Sequence, residues 1–142
     1  MAGAGGGTEG GTVFFGVKEN NYLGSGLSVD TNASLSAEAF KGKFSVRNPN
    51  YKNSDKSTFF NIQAIEIDQL KNFGYKTNRT GFELGTGFEY LEDFNLNLST
   101  STFVEKIETD STASTRQKSQ AGNYLDTFAR FNFDFDKRNQ KF

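Results

Sequence analysis

Few residues in this chain have the type and spacing to do chemistry. Asp134-Phe-Asp136 sets two carboxylates on one side of an extended segment, and Asp30-Thr-Asn32 sets a carboxylate and an amide on one side of another. Such pairs suit a calcium site or an acid/base pair only when further oxygen ligands or a second acid converge on them. Nothing else in the sequence does, so a polar lining is the expected role. Gly5-Gly-Gly-Thr-Glu-Gly-Gly11 has the glycine density of a phosphate cradle but lacks the Lys-Ser/Thr ending and the helical pattern that follows one, and reads as a hairpin turn. The chain has no Cys and no His, which removes thiolate nucleophiles, Ser-His-Asp triads and nearly all zinc and haem ligation from this segment. We therefore expect no enzyme, no cofactor and no metal.

The elements that position these residues are extended. Of 142 residues, 35% are hydrophobic and the mean hydropathy is −0.62, yet 15% are aromatic, with 16 Phe and no Trp. That combination suits strands with aromatics on one face and polar groups on the other. Fifteen Gly and a single Pro also favour sheet over helix bundle. The net charge of −1 comes from mixed charges with no dominant basic stripe, so nucleic acid is not an expected partner. No apolar run reaches the roughly 18 residues of a transmembrane helix, but barrel strands need only about 9 to 11 residues each and alternate, so they look soluble on average. The N-terminal Met1-Ala-Gly-Ala-Gly-Gly-Gly has no basic region followed by an apolar stretch, so any export signal is expected outside this chain.

Alternation predicts strands over 2–7, 12–20, 27–36, 40–48, 57–69, 80–90, 95–109 and 124–136. Leu27, Val29, Leu35, Phe82, Leu84, Phe88, Phe131, Phe133 and Phe135 fall on apolar faces, expected to meet lipid. Asp30, Glu83, Glu89, Arg130 and Asp134 fall on polar faces, expected to line a lumen together with Asp136. Near Ala64 the alternation changes phase, which predicts either a bulge or a strand leaving its apolar environment. Connections after the second, fourth and sixth strands read as short, whereas 70–78 and 110–123 read as long and polar. This parity would put the short turns on the periplasmic side. Alternation alone also describes soluble sandwiches, but strand length and loop parity favour an all-β, antiparallel, up-and-down transmembrane barrel, here an incomplete curved sheet of about eight strands.

Three segments carry a family resemblance. Gly3 to Leu27, ending in the turn Glu19-Asn-Asn-Tyr-Leu-Gly-Ser-Gly26, resembles the opening hairpin of the barrel in the BamA and TamA superfamily, most closely the BamA type. Asn48-Pro-Asn-Tyr51 is similar to the family's turn after the fourth strand, and Phe133-Asp-Phe-Asp-Lys-Arg-Asn-Gln-Lys-Phe142 to the Asp-x-Arg-Asn segment that precedes a Pro-x-x-Gly turn. The resemblance implies the first half of a sixteen-stranded barrel preceded by POTRA domains, an insertase in the Gram-negative outer membrane. Its partners would be outer-membrane lipid, unfolded outer-membrane protein precursors and accessory assembly lipoproteins held by domains outside this chain. It further implies a lateral gate at the first strand: Ala2, Gly3, Ala4, Gly5, Gly6 and Gly7. Asn97-Leu-Ser99 and Asn78-Arg-Thr80 match the N-glycosylation pattern but carry no weight in a bacterial barrel. The alternatives are another translocator of the superfamily, TamA-like or of two-partner secretion, and a complete eight-stranded barrel or pore. Against the latter, the alternate positions before Phe142 are Gln140, Arg138 and Asp136 rather than aromatic or apolar residues, so the chain is expected to continue.

Overall fold

The computed structural model describes residues 2–7 and 10–135. Eight strands form one antiparallel sheet in sequence order: β1 (Ala2–Gly7), β2 (Gly10–Tyr22), β3 (Leu27–Ser36), β4 (Ala39–Asn48), β5 (Ser57–Gln69), β6 (Tyr75–Leu91), β7 (Phe94–Thr109) and β8 (Gly122–Phe135). The sheet does not close, because β1 and β8 each pair with a single neighbour among the described residues. Asp136 and the remainder of the 133–142 motif segment lie outside the described residues, as do positions 8 and 9 of the glycine-rich hairpin. Gly7 pairs with Gly10, so that connection spans two residues.

Directly opposed residues in a ladder share a face, so the register sorts the side chains. Val46, Phe60 and Leu84 form one row, and Phe44, Ile62 and Phe82 the next. Further along the same face, Leu96 meets Phe88 and Phe133, and the rings of Phe94 and Phe133 lie 5.9 Å apart. No second layer covers this face among the described residues: Phe82 is 41% exposed and Phe131 66%. Every residue expected on an apolar face lies on it, and every described residue expected on a polar face lies on the other.

That polar face is concave. Lys18 of β2 and Arg130 of β8 border one cavity, yet six strand spacings in a flat sheet would separate them by about 29 Å. Small side chains and glycine permit the curl. Gly81, Gly85 and Gly87 of β6 line the concave face, with the rings of Phe103 and Phe59 lying over Gly81 and Gly85 and the Asn97 side chain over Gly87. The expected segregation of aromatics is therefore incomplete, since Phe14, Phe59, Phe103 and Phe128 sit on the concave side. Among the described residues Gly74, Gly87, Ser101, Phe103 and Ala113 are buried.

The phase change near Ala64 contains no bulge. β5 keeps continuous register with β4 and β6 from Thr58 to Ile67. The strand instead leaves the apolar band: Glu66 and Asp68 point outward to Lys76 Nζ at 2.8 and 3.6 Å, while Ile65 and Ile67 turn to the concave face. Bulges occur elsewhere, at Asn20-Asn21 opposite Ser28 and at Tyr90.

The loops correct the expected parity. β6 begins at Tyr75 rather than 80, because Lys76 and Asn78 continue the ladder as polar rows without apolar alternation. The expected long loop over 70–78 contracts to one helical turn, α1 (Leu70–Phe73), closed by Gly74 at φ 72°. The connection after β4, with a 3-10 turn at Tyr51–Asn53, is longer than that one, so among the described connections only the loop after β7 is long. This loop is ordered by α2 (Thr115–Ser119). Ser114 Oγ accepts from Gln117 N, and Ser114 N donates to Gln117 Oε1 at 2.9 Å.

Two predictions follow from this packing. Gly85→Val places a Cβ 2.5 Å from the Phe59 ring and is expected to cost about 1 to 3 kcal/mol in urea unfolding of the full-length protein. Gly5→Ala, where no atom lies within 4 Å, leaves the midpoint unchanged. In the β7–β8 loop, Thr112 donates from Oγ1 and N to Asp110 Oδ1 at 2.6 and 2.7 Å, and these bonds hold the Asp110 carboxyl below its ordinary value. A depressed carboxylate stabilises above its unfolded pKa and loses that contribution as pH falls through the folded one. Protease protection of 110–121 should therefore fall once pH drops below about 4, and Asp110→Asn should abolish that pH dependence.

Candidate functional site

Two features distinguish this sheet chemically: a glycine-built edge and a charged concave wall. The edge is β1, paired with β2 from Ala2↔Phe15 to Gly7↔Gly10 and with no strand on its other side among the described residues. Its N–H and C=O groups on that side form a template for another strand. Ala2 and Ala4 supply its only side chains, and they fall opposite Phe15 and Val13 on the apolar face. On the concave side Gly3 lies under the Phe14 ring, where any Cβ would collide with it. The sequence Gly-Ala-Gly-Gly-Gly thus gives a strand held almost wholly by backbone bonds, anchored by an aromatic ring from its neighbour.

The turn after β2 fixes the other end of this hairpin. Asn21 Oδ1 accepts from Gly26 N at 2.7 Å, Asn21 O from Gly24 N at 3.0 Å, and Gly24 and Gly26 adopt φ of 73° and 72°. Both glycines of the Leu-Gly-Ser-Gly motif therefore have a conformational reason. In the turn after β4, Tyr51 N donates to Lys56 O at 2.7 Å, and Asn50 N donates to Asn48 Oδ1 at 3.1 Å.

On the concave wall a polar chain crosses five strands. Ser45 Oγ of β4 donates to Asn61 Oδ1 of β5 at 2.5 Å, Asn61 Nδ2 donates to Glu83 Oε2 of β6 at 3.3 Å, and Arg130 Nη1 of β8 reaches Glu83 Oε1 at 3.5 Å over Ser101 of β7. Arg79 lies beside this chain with its guanidinium 4.3 Å from the centre of the Phe103 ring, a cation–π contact that offsets the lack of a hydrogen bond at its buried Nε. Of the expected polar residues, Glu83 and Arg130 are thus brought together. Asp30 is elsewhere, accepting from Asn32 Nδ2 at 2.5 Å. Glu89 caps a turn, accepting from Asp93 N at 3.1 Å, and Asp134 stands opposite Asn95.

No group of three or more metal-binding side chains gathers among the described residues. The two glycosylation-pattern asparagines lie within β6 and β7, where Asn78 Nδ2 donates to Glu66 Oε2 at 3.2 Å. Sequence reading missed Asn61, the bridge of the network. Its only signal is its position between Phe60 and Ile62, which marks it as inward facing. Asn61→Ala leaves a hydroxyl and a carboxylate without their shared partner and should cost about 1 to 2 kcal/mol in urea unfolding. Arg130→Ala, whose side chain is 71% exposed, should cost less than about 1 kcal/mol.

Comparison with known proteins places this geometry. No curated protein matches the chain. A crystal structure of BamA from Haemophilus ducreyi lacking POTRA domains 1–3 matches it with a TM-score of 0.61 and 20% sequence identity over 99% of the chain. The chain spans 30% of that protein's length, and the likeness establishes the fold. An Omp85 superfamily domain model matches residues 21–142, from the hairpin turn of β2 through β8 and beyond. With most of its length covered by that match, the chain belongs to the Omp85 superfamily.

Proposed function

We propose that this chain is the N-terminal part of an outer-membrane barrel that assembles β-barrel proteins into the Gram-negative outer membrane, with β1 as its lateral gate. The observation that carries the reading is the β1 edge: a strand of Gly and Ala, paired on one side, presenting free backbone groups on the other. An incoming precursor would extend the sheet there by β-augmentation, which needs main-chain complementarity rather than particular side chains. Few side chains on β1 keep its lateral packing weak, so the seam opens at low cost. Chemistry on covalent bonds is not required, and the protein acts without catalysis or cofactor.

In this reading the apolar face meets lipid through Leu27, Val29, Leu35, Phe82, Leu84, Phe88, Phe131, Phe133 and Phe135. Exposure of large apolar side chains across a one-layer sheet supports this, because water would penalise such a face. The concave face with Asp30, Glu83, Glu89, Arg130 and Asp134 lines the lumen. Outside the apolar band, the Lys76 to Glu66 and Asp68 bridges mark the boundary with water. The partners are membrane lipid, unfolded precursors at β1 and accessory assembly lipoproteins bound through domains beyond this chain, and the remaining strands of the barrel also lie beyond it.

The test is site-specific photocrosslinking in the full-length protein during precursor assembly. A crosslinker at Ala2 or Ala4 should capture the precursor's terminal strand, whereas one at Val29, in the middle of the sheet, should not. Equal capture at all three positions, or none at β1, would remove β1 as the gate.

A further inference from the structure

Four cations stand on the concave face of β2 and β4 without an ion pair or hydrogen bond among the described residues. Lys41, Lys43 and Arg47 follow one another along β4, interrupted only by Ser45, and Lys18 of β2 stands in the same row as Ser45, with Asp30 of β3 between them. From Lys41 to Arg47 the stripe runs about 20 Å. Lys18, Lys43, Arg47 and Arg130 converge on a cavity of about 500 Å³. Its two carboxylates are already engaged, Asp30 by Asn32, and Glu83 by Asn61 and Arg130.

We propose that this stripe is a binding surface for an extended acidic segment of polypeptide lying along β4. The surplus of positive charge selects an anionic ligand over a neutral or cationic one. A length of about 20 Å matches roughly six extended residues and exceeds a lone phosphate. A lipid headgroup is disfavoured by position, because the sheet lies between this stripe and the exposed apolar face where acyl chains would sit. Side chains alternate along a strand, so a peptide with acids at every second position presents them all to one wall. The opposite side of the concave face favours the same polarity: Glu105, Asp126 and Asp134 of β7 and β8 outnumber Arg130 there and repel an acidic segment toward β4. The inference needs a water-filled concave face and stands whether or not the protein inserts precursors.

The experiment uses the full-length protein in detergent, with folding checked by heat-modifiable migration. A fluorescent eight-residue peptide alternating Asp and Ser is titrated beside one alternating Asn and Ser. The acidic peptide should bind at least tenfold more tightly, and its affinity should fall as salt is raised from roughly 0.05 to 0.5 M. Lys43→Gln with Arg47→Gln should reduce its affinity tenfold or more. Lys43→Glu with Arg47→Glu should reverse the preference toward a peptide alternating Lys and Ser, which separates charge recognition from damage to the fold. Equal binding of acidic and neutral peptides, or indifference to the charge reversal, would overturn the proposal. So would displacement by inorganic phosphate or short-chain phosphatidylglycerol at peptide-like concentrations, which would assign the cations to a small anion or a lipid. Precursor assembly is assayed separately, so a failed gate and an empty stripe give different results.

Discussion

Everything in this sheet depends on backbone hydrogen bonding, with no second layer to lean on among the described residues. A strand buries few side-chain atoms by itself, and here its neighbours hold it through N–H···O=C ladders that link each strand to the next from β1 to β8. That arrangement satisfies the main chain internally, the condition any structure must meet in an apolar solvent. It also concentrates unsatisfied groups at the two outer edges. β8 carries Phe131, Phe133 and Phe135 along its edge, whereas β1 carries almost nothing. The edges are therefore unequal: one can pack by its side chains, and the other has mainly its backbone to offer.

The same constraint explains what could be read in advance. β3 and β5 have the expected limits, 27–36 and 57–69, because alternation ends where ladder pairing ends. β6 extends five residues earlier, because Tyr75 to Arg79 pair through their backbone while their side chains leave the apolar band. Period-2 hydropathy records a strand's environment and its backbone only indirectly, so a strand that passes from an apolar band into water loses the signal without losing the structure. The phase change at Ala64 is the same event on the neighbouring strand.

The glycine-rich turn motif was legible because a positive φ at Gly24 and Gly26 is a local demand. The polar network was not, because Ser45, Asn61, Glu83 and Arg130 are brought together by register across strands far apart in sequence. Nor could the inward aromatics be assigned from their own strands. Phe59 and Phe103 face inward because glycines on β6 leave room for them, and that complementarity exists only once the strands are aligned.

These inward rings have a further consequence for the space they border. A ring standing on an ordinary strand would project into the cavity and narrow it, but over Gly81 and Gly85 the rings of Phe103 and Phe59 lie close along the wall. Beside β6 the free cross-section then belongs to charged and amide side chains, Glu83 and Arg130 among them, that water can solvate and that can swing aside. At these positions the wall is wet and yielding, because mobile hydrated groups stand forward of the rings and can rearrange at little cost in desolvation.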